Sequence, residues 1–273
     1  MKKSLFLSII LLSITVFGQK RNAEKVLQEG KQLYRTEKAS WFATDHMLSN
    51  FAWRSVSFGG YVSYQGSDNN MHTVFFNKGL PHDILLSYKF HHLPQEHPIS
   101  IDTTRRPATK FESDLIEISM DARTRVLEDE ESFFNYYQNT SFNFVPLITK
   151  NEKKVFILTA PQKSGVVLLG NDYLLQYGRS NKFQGKSKIH NSLIQLPYHS
   201  GNEESKIETT IHSHVLDDLI SSTDICTLLL YKDFADWNQH IVISKDLVSI
   251  LTLDTETLFT MKRKDWEKIS KSQ

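Results

Sequence analysis

Cysteine is almost absent. Cys226 is the only one in 273 residues, so no disulfide can form within one chain. It sits in an apolar helical pattern and reads as a small buried hydrophobe. Glycine and proline are sparse, eleven and seven, and no Pro/Gly/Ser-rich linker or internal repeat is visible. An excess of charge of one sign is missing too: 32 Lys and Arg stand against 31 Asp and Glu. That balance gives no reason to expect nucleic acid or an anionic membrane as partner. The length suits one large domain or two small ones with a real hydrophobic core.

The N-terminus carries a clear pattern. Met1-Lys2-Lys3 is basic, Ser4 to Phe17 is apolar apart from small hydroxyl residues, and Val16-Phe17-Gly18 precedes Gln19. This is the layout of a secretory signal peptide, too short and wrongly flanked for a spanning helix. Residues 1–18 are expected to be removed. The mature protein is then expected to be secreted or periplasmic, without a membrane span. No cysteine follows the apolar run, so a lipidated anchor is not expected.

Hydrophobic periodicity divides the rest. Ala23 to Leu48 reads as a helix. "GGYVSYQ", "HTVFFN" and "DILLSYKF" read as three strands of an antiparallel meander, with a turn at Gly66 to Asn70. Ala108 to Tyr137 reads as the longest helix, with Phe111, Leu115, Ile118, Ala122, Val126 and Phe133 near one face. "NTSFNFVPLITKN" is irregular or strand. "KVFILTAP", "GVVLLGNDYLLQYG", "SLIQLPY" and "IETTIHSH" are strand-like. Ser222 to Asp236 is a helix buried through Ile225, Leu228 and Leu229. "HIVIS", "LVSILTLD" and "LFTM" are strands, and Lys264 to Lys271 closes as a helix. The expected class is α+β: residues 19–140 as a helix and strand meander, and residues 141–273 as one compact unit.

Within that unit, His212 and His214 lie two apart on a strand, so their side chains share a face. Two imidazoles so placed can converge on one cation, and Asp224, at the start of the following helix, can supply a third ligand. An H-x-H alone is weak, with about 0.4 expected by chance in a chain this rich in histidine. Requiring S-x-x-D shortly downstream lowers that to about 0.01. The same residues have a structural reading. Ser221-x-x-Asp224 is a helix-entry capping pattern, and the histidines can be hydrogen-bonded strand residues.

At these residues, "HSH…SSTDICTLLLY" followed by "HIVIS" and "LVSILTLD" resembles the JAB/JAMM (MPN) domain of zinc metallo-isopeptidases, over roughly Lys153 to Met261. The resemblance implies a mixed sheet with flanking helices. It implies that His212, His214 and Asp224 are zinc ligands, and that Ser221 supports the water or the developing oxyanion. The partner it implies is a peptide or protein substrate. Three features depart from the family pattern. Val215 stands where proline is usual. The gap from His214 to Ser221 is one residue short. The motif glutamate aligns with Gln162 in "QKSGVVLLG", whose glycine spacing is one residue too long. A glutamine cannot accept a proton, and losing a general base costs about 10²–10⁴-fold. Glu152, Glu203, Glu204 or Glu208 are substitutes outside the motif. Two functions follow: a secreted zinc-dependent peptidase or isopeptidase, or a JAMM-like metal-binding or protein-interaction module with weakened or no catalysis. Elsewhere, His91, His92 and His97 read as solvent-exposed loop histidines, and His240 as a strand residue near the site. Trp41, Phe42, Phe51 and Trp53 read as core of the N-terminal region.

Overall fold

The computed structural model describes residues 2–51, 57–198 and 208–271, with side chains described from residue 21 onward. The chain is α+β, with helices and strands both prominent. It forms two compact units: residues 33–196, and a unit drawn from residues 1–32 and 197–273. Helix α1 (Lys2–Asn50) supplies residues to both. The seam therefore falls elsewhere than near residue 140.

In the unit of residues 33–196, the expected meander forms as β1 (Phe58–Gln65), β2 (Met71–Asn77) and β3 (Asp83–Phe90), all antiparallel. The short strands β4 (Ser100–Asp102) and β5 (Arg106–Pro107) both pair with β3. Ala39, Ala43 and Met47, one helical turn apart on α1, pack on Met71, Phe75, Leu86, Tyr88 and Phe90. Phe42 and Phe51 pack against the same cluster, while Trp53 lies outside the described residues.

Helix α2 (Lys110–Leu127) starts from a capping box, Thr109 with Glu112. It serves two sheets. Leu115 and Ile116 pack with Val62, Val74, Phe76 and Ile84 of the meander. Ile118, Ala122 and Val126 pack with Val155, Ile157, Tyr173, Leu175 and Tyr177 of a second sheet. That sheet runs β10 (Phe183–Lys188), β9 (Tyr173–Tyr177), β7 (Lys153–Pro161), β6 (Thr140–Ile148). Because α2 shares apolar surface with both sheets, β6 to β10 belong with the meander and not with the chain after 197.

Three elements differ from the sequence reading. Helix α2 stops at Leu127, ten residues before Tyr137. An acidic run, Glu128 to Glu131, follows at the negative end of the helix dipole, where carboxylates are unfavourable. There Asp129 Oδ2 accepts the Phe134 N–H at 2.9 Å, organising a turn. "GVVLLGNDYLLQYG" splits into β8 (Val166–Gly170) and β9, because Gly170 (φ +94) and Asn171 (φ 54) take left-handed conformations. A Cβ at Gly170 would stand 2.3 Å from the Ser192 carbonyl oxygen, on the approach to β11 (Leu193–Pro197), which pairs with β8. Strand β10 is the third difference, having had no apolar alternation to announce it.

The other unit holds a mixed sheet in the order β12 (Thr209–Ser213), β13 (Gln239–Ile243), β14 (Leu247–Thr252), β15 (Thr257–Lys262). Strand β12 is parallel to β13, and the rest pair antiparallel. Helix α3 (Ser222–Ala235) is the crossover between β12 and β13, as a parallel pair requires. It buries Ile225, Cys226, Leu228 and Leu229 completely. Gly30 of α1 lies directly on α3, where an added Cβ would be 2.6 Å from the Ile225 Cβ. Lys31 and Lys232 meet Glu256 at 3.3 and 3.7 Å. Helix α4 (Arg263–Ser270) follows β15.

Candidate metal centre

The site is built from one edge strand, one helix start and one neighbouring strand. Along β12, Thr209, Ile211 and Ser213 are exposed and Thr210 is buried, with His212 on the buried side. That alternation sends Thr210 and His212 to one face. His214 lies just beyond the strand, and its N–H still donates to the Ile243 carbonyl at 3.0 Å. The backbone ladder thus continues far enough to hold His214 in line with His212.

The chain then turns through residues 215–220 into α3. His214 Nδ1 donates to the Leu219 carbonyl at 2.8 Å, closing that turn. Ile220 N–H donates to Ser249 Oγ of β14 at 3.2 Å. Ser221 is the N-cap of α3: Asp224 N–H donates to Ser221 Oγ at 2.9 Å, and Ser221 N–H donates to Asp224 Oδ2 at 3.2 Å. The Ser221 hydroxyl also shares a 3.0 Å hydrogen bond with Thr223 Oγ1. The capping reading of S-x-x-D is realised, and it leaves Asp224 facing the two histidines. The capping box is formed, and the cap aims the Asp224 carboxylate at the histidines. The positive end of the helix favours a carboxylate at that place.

The three expected ligands come together. His214 Nε2 lies 3.0 Å from Asp224 Oδ2, and His212 Nε2 lies 3.8 Å from the same oxygen. The two imidazole centroids are 4.8 Å apart. Bonds of about 2.0–2.1 Å in a tetrahedral site set ligand atoms roughly 3.3 Å from one another, so the 3.0 and 3.8 Å separations bracket the need. His214 and Asp224 belong to a buried histidine and carboxylate group that could hold a metal ion. The His212, His214 and Asp224 side chains are only 4, 5 and 1% exposed.

His240 completes the arrangement. It lies on β13 opposite Thr210 in the parallel register, and it is fully buried. Its Nε2 is 2.7 Å from His212 Nδ1, and its Nδ1 is 2.7 Å from Thr210 Oγ1. Burial, with the His212 ring beside it, pushes the His240 imidazole down to about 3 against the opposing pull of Asp224. The ring is neutral at physiological pH.

Gln162 is exposed in the turn between β7 and β8, in the unit of residues 33–196, and its N–H donates to the Asn139 carbonyl. Glu152, also in that unit, meets Lys154 at 2.7 Å. Glu208 is exposed at the entry to β12 and offers its backbone carbonyl to Asn238 and Gln239. Glu203 and Glu204 lie outside the described residues. His91 and His97 are exposed, as expected of loop histidines, whereas His92 is half-buried and its Nδ1 donates to the Asn69 carbonyl at 3.2 Å. A pair that no motif announces occurs at His190, whose Nδ1 is 3.4 Å from Asp172 Oδ2 within the unit of residues 33–196.

Among the described residues, no helix is long and apolar enough to cross a membrane. No family model matches the chain, and no curated protein or solved structure matches it.

Proposed function

We propose that the unit holding β12 to β15 is a JAMM-like metal centre, and that the protein is a zinc-dependent peptidase or isopeptidase working outside the cytoplasm. The carrying observation is at His214. Its Nδ1 faces a carbonyl oxygen, which only accepts, so the proton of the neutral ring is on Nδ1. Nε2 is then a lone pair, and it faces a carboxylate oxygen at 3.0 Å. Two acceptors that close repel unless a proton or a cation lies between them. His212 Nε2 approaches the same oxygen at 3.8 Å, and a metal ion is the occupant that engages all three groups.

Two imidazole nitrogens with one carboxylate oxygen suit zinc, and three protein ligands leave one tetrahedral position open. A zinc ion held there would acidify a water molecule and polarise a carbonyl group. This chain's own contribution is orientation: the capping box aims Asp224, the Leu219 carbonyl fixes His214, and burial excludes bulk water from the ligands. The peptide or isopeptide substrate is the part of the proposal that rests on the resemblance. A second reading, a metal-binding or protein-interaction module without hydrolysis, takes its support from Gln162. This residue stands where the family has glutamate, and its amide cannot take a proton.

The test has two parts. Purified protein is expected to carry one zinc per chain, lost in His212→Ala. Unchanged zinc in that variant would return His212, His214 and Asp224 to the roles of strand and cap. Metal-loaded protein is then offered a broad library of peptides and isopeptide-linked conjugates. Cleavage that stops on chelation supports the hydrolase, and full zinc with no cleavage supports the module.

A further inference from the structure

We propose that His240 is a positioning residue for the metal centre, supporting the metal-binding tautomer and ring orientation of His212 through a hydrogen-bonded chain that ends at Thr210. The inference rests on the reading of His212 as a metal ligand through Nε2 and goes one shell beyond it.

The hydrogen-bond polarity can be followed atom by atom. If His212 binds a cation through Nε2, its single proton is on Nδ1. That N–H points at His240 Nε2, 2.7 Å away, so His240 Nε2 accepts. The His240 proton is then on Nδ1, where Thr210 Oγ1 accepts it at 2.7 Å. Each link has one donor and one acceptor, and the chain runs in one direction, from His212 through His240 to Thr210. Reversing it would put a proton on His240 Nε2 and leave His212 Nδ1 as an acceptor. His212 would then hold its proton on Nε2, the atom turned to Asp224, and could not bind metal there.

Ligating histidines commonly give their second N–H to a carbonyl or a carboxylate, either of which accepts regardless of what lies behind it. His214 follows this rule with the Leu219 carbonyl. His212 instead faces an imidazole, which accepts at Nε2 only while its own proton sits on Nδ1. Thr210 Oγ1, on the residue paired with His240 in the β12–β13 register, is the oxygen that can take that proton. The rings of His212 and His240 are 4.9 Å apart and tilted by 42°, too inclined to be a simple stack. His240 is fully buried, and the oxygen its Nδ1 faces is Thr210 Oγ1.

The experiment uses the full chain with zinc as the probe. Zinc affinity is measured by competition with a chelating dye for wild type, His240→Leu, His240→Gln and Thr210→Val. Histidine tautomers are read by ¹⁵N NMR in the zinc-loaded wild type. His240→Leu should weaken zinc about 10–100-fold, the usual effect of losing a partner behind a ligand. His240→Gln should recover most of that, because its amide oxygen can reach the place of Nε2. Thr210→Val, close in shape, should also weaken zinc, and should add nothing in the His240→Gln background. NMR should find His240 protonated on Nδ1. A His240 protonated on Nε2, or unchanged zinc affinity in both His240→Leu and Thr210→Val, would overturn the proposal while leaving the metal centre standing. A wild type that binds no zinc would overturn the metal centre itself, and the role of His240 with it.

Discussion

Ser221 shows how one residue can serve two ends. Its hydroxyl caps α3 and its backbone N–H holds Asp224 Oδ2. Ser221→Ala removes only the first of these. It should cost about 1 kcal/mol of stability, the usual size of a lost cap, while zinc stays at one per chain. Asp224→Asn should abolish zinc binding. Chemical denaturation together with metal analysis checks both, and zinc loss in Ser221→Ala would mean that the hydroxyl itself is needed at the metal. A second residue-scale prediction concerns Glu37, buried in α1, where Asn143 Nδ2 donates to its Oε2 at 2.9 Å. Burial raises its carboxyl to about 7 from an ordinary 4.5, against the bond from Asn143. Between those two values the folded chain holds a proton that the unfolded chain has released. Stability contributed by the neutral carboxyl is therefore present at pH 4.5 and falls as pH rises toward 7. The loss approaches about 3 kcal/mol, since each unit is worth about 1.4. Glu37→Gln keeps an acceptor for Asn143 and has no proton to lose. It should raise the melting temperature by several degrees at pH 8 and hardly at all at pH 4.5. Equal shifts at both would show that Glu37 is not ionising in the folded protein.

At the scale of elements, Gly30 reverses an ordinary rule. Alanine for glycine inside a helix usually stabilises by about 1 kcal/mol. Here a Cβ would stand 2.6 Å from Ile225 Cβ on α3, so Gly30→Ala should destabilise by about 1–3 kcal/mol as an overpacked contact. A rise in denaturation midpoint would show that α1 does not seat on α3 as described. The elements also show where reading from sequence succeeds. Strand β12 and helix α3 were legible because their signals are local: alternation in "TTIHS", then a cap and an acidic third residue. The end of α2 was not. Phe133 continues the apolar spacing past Glu128 to Glu131, and only the helix dipole opposes it. Strand β10 has lysines and a glycine where strands usually alternate, and it is held by pairing with β9 across a register shift between Phe183 and Gly185. His240 looked like a strand residue because nothing within reach of it in sequence is Thr210 or His212. Its place depends on a parallel register joining residues thirty apart.

At the scale of the molecule, the proposed ligand set His212, His214 and Asp224 lies entirely in the unit of residues 1–32 and 197–273. Zinc should accordingly slow amide exchange in peptides covering residues 209–214, 220–226 and 239–243. Peptides from β1 to β3 should be unchanged. The expected gain at a zinc concentration 100 times the dissociation constant is about 2.7 kcal/mol. Mass-spectrometric hydrogen exchange with and without zinc measures this, and protection confined to residues 58–90 would put the metal elsewhere. The division into units was not legible, because no linker marks it and α1 is continuous through residues 32 and 33.

The interleaving of the two units imposes a timetable on the chain as it is made. Residues 33–196 leave the ribosome as one uninterrupted segment. The unit that begins before them cannot be completed until residues beyond 197 have followed. Strand β12 brings two of the ligands, but its only described sheet neighbour, β13, emerges some thirty residues later, after α3 has delivered the third. His240, which orders the first ligand, arrives with that neighbour. At synthesis speeds of about 5–20 residues per second, the larger unit has time to fold while the ligand strand is still waiting for its partner. On the proposed reading, a metal ion would meet a finished site only late in biogenesis, in whatever compartment the chain has reached by then.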